Sequence, residues 1–99
     1  MIRFVRTAAI AQGKLRDALA VAKEIADHIS KHHGVKLEIM MPVGGNPFRI
    51  AWRAEYASLA AMEEAMSKLM TDAKWLEIQA KGSVNFIPGS ANDVIWRTV

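Results

Sequence analysis

Three histidines, His28, His32 and His33, are the only ones in the chain, and they stand together in the stretch HISKHHGVKLEI. Imidazole ligates metals and moves protons near neutral pH, so this trio could hold a metal, act as a base, or simply close a helix. His28 and His32 are four residues apart and can share one helix face, which is a chelating spacing. No HExxH accompanies them and no nearby carboxylate offers a third ligand. The pair therefore reads as cations near a helix C-terminus, where the macrodipole favours them, and no metal is assigned. On a helical wheel His28 points away from the apolar stripe and His32 lies on its flank. His33 returns to the apolar face where the helix meets the next strand. That places it near the mouth of any pocket, and makes it the candidate general base.

A second set could bind rather than react. Phe48, Trp52 and Tyr56 alternate along one strand, and Met62, Met66 and Met70 recur every fourth residue, with Trp75 beyond them. Most of this set reads as core. Methionine and aromatics together also make an adaptable wall for a flat apolar ligand, and Trp52 and Tyr56 carry polar tips that can orient it. The candidate substrate-binding residues are Trp52, Tyr56, Met66 and Trp75. The loop MMPVGGNPF lacks a phosphate-cradling pattern, Glu63 and Glu64 suit the start of a helix, and no Ser-His-Asp set is legible.

These residues need elements to position them. Ile2 to Ala9 reads as a strand. A helix opens near Gln12 or Gly13, with Leu15, Ala18, Leu19, Ala22, Ile25, Ala26 and Ile29 as its stripe, and Gly34 follows its last turn. Val35 to Met41 alternates as a second strand, PVGGNP turns, and Phe48 to Tyr56 returns antiparallel. Ser58 caps a second helix, and Thr71 or Asp72 caps a short third one ending at Gly82. VNFIPG is extended and then turns, and Asp93 to Val99 is the last strand. The order predicts an α+β ferredoxin-like βαββαβ sandwich, with a four-stranded antiparallel sheet and the helices on one face. The other face carries Lys36, Glu38, Met40, Arg49, Ala51, Arg53 and Glu55. It is either solvated or packed on a second sheet.

Composition narrows the classes. The chain has 99 residues, of which 52% are hydrophobic and 23% charged, so it reads as one globular domain rather than a disordered segment. It has no cysteine, which excludes disulfides, thiolate metal sites and a cysteine nucleophile. No stretch approaches the roughly 20 apolar residues of a membrane span, and Arg3 and Arg6 break up the N-terminus, so the expected setting is cytoplasmic. The net charge of +3 is scattered. The aromatic third strand matches an RNA-recognition sheet superficially, but RIAWRAEY lacks the glycine-containing consensus and shares its face with Ile50 and Ala54. Nucleic acid is not an expected partner.

AEYASLAAMEEAMSKLMTDAKWLEI, with its Ser-Leu helix opening and its Asp72-x-x-Trp75 step, resembles the dimeric α/β-barrel superfamily. FIPGSANDVIWRTV resembles the end of small members related to NIPSNAP proteins and antibiotic-biosynthesis-type monooxygenases. The resemblance implies a homodimer whose two sheets close into a barrel, with an apolar pocket between each sheet and its helices. It also implies a small apolar or aromatic ligand and an activity such as a cofactor-independent monooxygenase or isomerase. The alternative is a non-enzymatic ligand-binding or interaction module of the same fold. The haem-degrading branch places its histidine in the second helix, whereas all three here lie in the first, so no haem or other cofactor is expected.

Overall fold

The computed structural model describes residues 1–99. Strand β1 (Ile2–Ala9) is followed by α1 (Leu15–His33), β2 (Glu38–Met40), β3 (Arg49–Tyr56), α2 (Leu59–Met70), α3 (Ala73–Gly82), one 3₁₀ turn (Ser83–Asn85) and β4 (Asn92–Arg97). The sheet runs β2-β3-β1-β4 and is antiparallel throughout. This is the α+β ferredoxin-like arrangement expected from the element order. None of the helices is long and apolar enough to cross a membrane.

The local signals act as their chemistry dictates. Ser58 accepts the Ala61 N–H and starts α2, and Asp72 accepts the Lys74 and Trp75 N–H groups and starts α3. Gly34 ends α1 at φ 66°, a left-handed turn that a Cβ would strain. Several boundaries differ from expectation: β3 starts at Arg49 rather than Phe48, β4 spans Asn92–Arg97 rather than Asp93 to Val99, and Val84 and Asn85, expected to be extended, lie in the 3₁₀ turn. Helix α1 begins at Leu15, later than Gln12, because Lys14 supplies no side-chain cap and Gly13 is spent on a turn at φ 76°. Strand β2 ladders only from Glu38 to Met40, opposite Arg53 to Ala51 of β3. Val35 and Leu37 still pack inward.

The pairing register fixes which face each residue of the first and last strands takes. Phe4 opposes Ala54 and Ile95, and Arg6 opposes Trp52 and Asp93, so the even positions of β1 lie under the helices. Ile2, Phe4 and Ala8 are buried there with Ile50, Trp52 and Ala54. The odd positions face out, with Val5 beside Val94 and Arg53, and Arg3 beside Trp96 and Glu55. On this outer face Glu55 takes both Arg3 (3.2 Å) and Arg53, and Arg53 also reaches Glu38 (3.8 Å).

The buried apolar residues fall into three separate clusters rather than one core. Ile50 and Trp52 gather with Ala18 and Ala22, Ile25 and Ile29 with Trp75 and Ile78, and Ile2 and Phe4 with Met62. The second cluster depends on a close approach of α3 to α1. A Cβ built on Gly82 would lie 2.5 Å from Val21 Cγ1. Gly82 therefore does more than end a helix, and it keeps ordinary right-handed backbone angles. Gly82→Ala should lower the urea midpoint, because about 1–3 kcal/mol of overpacking exceeds the roughly 1 kcal/mol that alanine gains in a helix. Adding Val21→Ala should restore much of the loss.

Candidate functional site

A cavity of about 1090 Å³ lies among the three clusters, between the sheet and the helices. Phe4, Arg6, Trp52 and Tyr56 form its floor, and Ile25, Ile29 and His33 of α1 form one wall. Met66, Leu69 and Met70 of α2 and Trp75 and Gln79 of α3 also border it, as does the crossing segment through Phe86 and Ser90. That segment is stitched to the end of β1. Ala11 N–H donates to Asn85 O (2.9 Å), Ile87 N–H to Ala9 O (2.9 Å), and Ala9 N–H to Ser90 Oγ (3.0 Å).

His33, Trp52, Tyr56, Met66 and Trp75, the five residues singled out from sequence, all line this one cavity. Phe48 does not join them. It lies 51% exposed at the head of β3, where the hairpin leaves the helices behind. Met62 is buried against Ile2 and Phe4 instead. The indole N–H groups of Trp52 and Trp75 are buried and find no acceptor on the protein. Leaving such a donor unmatched costs about 1–3 kcal/mol. Burial also pushes the Tyr56 phenol above its ordinary pKa.

The histidines differ most from their sequence reading. His28 Nε2 lies 2.7 Å and His33 Nε2 2.6 Å from the same oxygen, Oδ2 of Asp72. His28 is no free helix-end cation, and its side chain is only 10% exposed. The helical wheel measures an angle to the sheet, but α3 begins on that flank of α1 and covers it. Asp72 is the carboxylate that the sequence around the histidines lacks, 44 residues beyond His28. His32 stays exposed, its ring 4.6 Å from that of His28. The Asp72 side chain is 16% exposed, and hydrogen bonds from His33, His28 and the Trp75 N–H hold its carboxyl far below the usual range. Because that carboxylate only accepts, both Nε2 atoms donate to it.

Arg6 is the charged residue that sequence reasoning missed on the cavity floor. It donates to Asp93 through Nε (2.6 Å) and Nη2 (2.9 Å), and its guanidinium lies 5.6 Å from the Phe4 ring centre. The Asp93 hydrogen bond raises the Arg6 pKa, and Arg6 lowers that of Asp93. Only the strand register could have revealed this, since it sets Arg6 opposite Asp93 on the helix side.

No protein-family model matches the sequence, and neither does any curated protein. Solved structures do match. A NIPSNAP domain protein from Burkholderia xenovorans superimposes with a TM-score of 0.85 at 15% identity, over 100% of this chain and 95% of its own. A NIPSNAP family protein from Agrobacterium tumefaciens gives 0.84 at 23% identity, over 99% and 92%. A Nitrosomonas europaea protein assigned to the antibiotic biosynthesis monooxygenases gives 0.76 at 12% identity, over 100% and 99%. The chain thus has the fold shared by NIPSNAP and antibiotic-biosynthesis-monooxygenase-like proteins. At these identities the likeness is one of architecture, and fold alone assigns no reaction.

The two paired carboxylates make acid stability testable. An unfolded Asp binds its proton near pH 4, whereas Asp72 and Asp93 in the folded chain bind theirs at lower pH. Their stabilisation is complete above the unfolded value and is lost as pH falls through the folded ones. Urea midpoints should therefore drop below about pH 4, and Asp93→Asn should flatten part of that drop.

Proposed function

We propose that the protein binds a small, flat, largely apolar or aromatic molecule in the cavity and acts on it as a cofactor-independent monooxygenase or isomerase. The observation that carries this reading is one large, mostly apolar cavity that brings His33, Trp52, Tyr56, Met66 and Trp75 together. Such a site suits a ligand with an apolar body. Met66 and Tyr56 supply the rest of the contact.

His33 is the base in this reading. Asp72 fixes its ring through Nε2, which leaves Nδ1 to take a proton from the ligand, and the carboxylate stabilises the imidazolium that forms. In an isomerase the proton returns at another atom of the ligand. In a monooxygenase the deprotonated ligand itself reduces dioxygen. One oxygen atom stays on the ligand, and the other leaves as water with two of the ligand's hydrogens.

The outer sheet face supports a homodimer as part of the same reading. Val94 and Trp96 are 37% and 62% exposed there, on an edge strand exposed along its whole length, beside the Arg3–Glu55–Arg53–Glu38 chain. A two-sheet contact would bury this apolar strip and leave the ion pairs at its rim.

Native mass spectrometry of the purified protein should show a dimer carrying a small apolar molecule, and Trp96→Glu should shift it to monomer. A clean wild-type monomer without adduct would count against both parts. Trp52→Phe and Trp75→Phe should each weaken ligand binding by roughly 2- to 10-fold, through lost apolar contact. His33→Ala should leave binding in place and cut turnover by about 10²–10⁴. An unchanged rate with intact binding would favour the non-enzymatic module.

A further inference from the structure

Two histidines and one carboxylate converge at the junction of α1 with the α2–α3 turn. The ligating atoms of His28, His33 and Asp72 all lie within 4.8 Å of one another. Both imidazoles present the same atom, Nε2, to the same point, although they stand five residues apart on α1 and Asp72 comes from a different element. The side chains are 10%, 12% and 16% exposed, so little water competes for them. The other carboxylate oxygen, Oδ1, is already engaged by the backbone N–H groups of Lys74 (3.0 Å) and Trp75 (3.1 Å). This is the setting of a one-oxygen carboxylate ligand, its second oxygen hydrogen-bonded and its direction fixed.

We propose that His28 Nε2, His33 Nε2 and Asp72 Oδ2 form a binding site for a divalent transition metal of the zinc type, with a fourth position left for water or another ligand. Two neutral imidazoles and a carboxylate suit zinc and its neighbours, and not magnesium or calcium, which take oxygen ligands. Ligand atoms around tetrahedral zinc stand about 3.3 Å apart, given bonds of about 2.0–2.1 Å. The present 2.6 and 2.7 Å separations need to open by roughly 0.7 Å, within reach of small side-chain rotations.

The proton bookkeeping is closed and nothing is oxidised. Metal takes the Nε2 lone pair of each ring, and each ring's single proton moves from Nε2 to Nδ1. For His33, which lines the cavity, this converts an acceptor into a donor. Metal and base therefore use the same imidazole in exclusive states, and metal would silence the general base. The binding itself is independent of what the cavity holds, so the site can be tested without a substrate.

The test adds Zn(II) alone to protein stripped with a chelator, followed by calorimetry, with Co(II) as a coloured substitute. The expected result is saturable 1:1 binding and a tetrahedral-type visible Co(II) spectrum. Asp72→Asn keeps the α3 cap, since asparagine caps as well as aspartate, and should still fold. Loss of an outer-shell partner costs metal sites on the order of 10–100-fold, so Asp72→Asn and His28→Gln should each weaken Zn(II) by at least that much. His32→Ala should leave affinity within about 2-fold of wild type. Nitrogen-detected NMR should also move the His33 proton from Nε2 to Nδ1 on addition of Zn(II). No saturable binding would overturn the proposal. So would a loss of binding in His32→Ala with Asp72→Asn unaffected, which would assign the metal to the exposed His28–His32 pair.

Discussion

The carboxylate of Asp72 holds together the part of the molecule where chemistry is possible. One oxygen starts α3 by taking two backbone N–H groups, and the other takes both buried imidazoles from the end of α1. A single side chain thus sets where α3 begins, how α1 ends against it, and which way His33 faces. Trp75 follows three residues later and reaches the cavity from a helix start that Asp72 has fixed. Gly82 completes the arrangement at the far end of α3, where only a hydrogen in place of a side chain lets the helix lie against Val21.

The same arrangement explains why the interior is hollow. A chain of 99 residues can build one thin apolar layer, and here that layer is divided among three clusters. A close-packed core would fill the space between them. Here large side chains line the cavity and do not interdigitate across it, and two tryptophans keep buried N–H groups without protein partners. These are costs to folding. The outer face of the sheet adds an exposed apolar strip at Val94 and Trp96, separate from the cavity.

The base and metal readings of His33 share one geometric fact, that Nε2 is directed at Asp72. The carboxylate fixes the orientation of a ring that lines the cavity, so its influence reaches the site although Asp72 itself does not line the cavity.

Local physics made the element order legible in the sequence. Alternation along β3, the stripe of α1, Ser58 and Asp72 as caps, and Gly34 in a left-handed turn each depend on neighbours within a few residues. Trp52, Tyr56, Met66, Trp75 and His33 could be placed on the helix side of the sheet for the same reason, since strand and helix periodicities fix the face. Three things waited for the tertiary structure. Arg6 could be assigned to the cavity floor only when β4 was paired and Asp93 came opposite. Phe48 left the pocket because the sheet outruns its helices. His28 joined His33 because α3 packs on a flank of α1 that a helical wheel treats as solvent. The periodicity of one segment states which way a side chain points, and the packing of segments distant in sequence decides what it meets there.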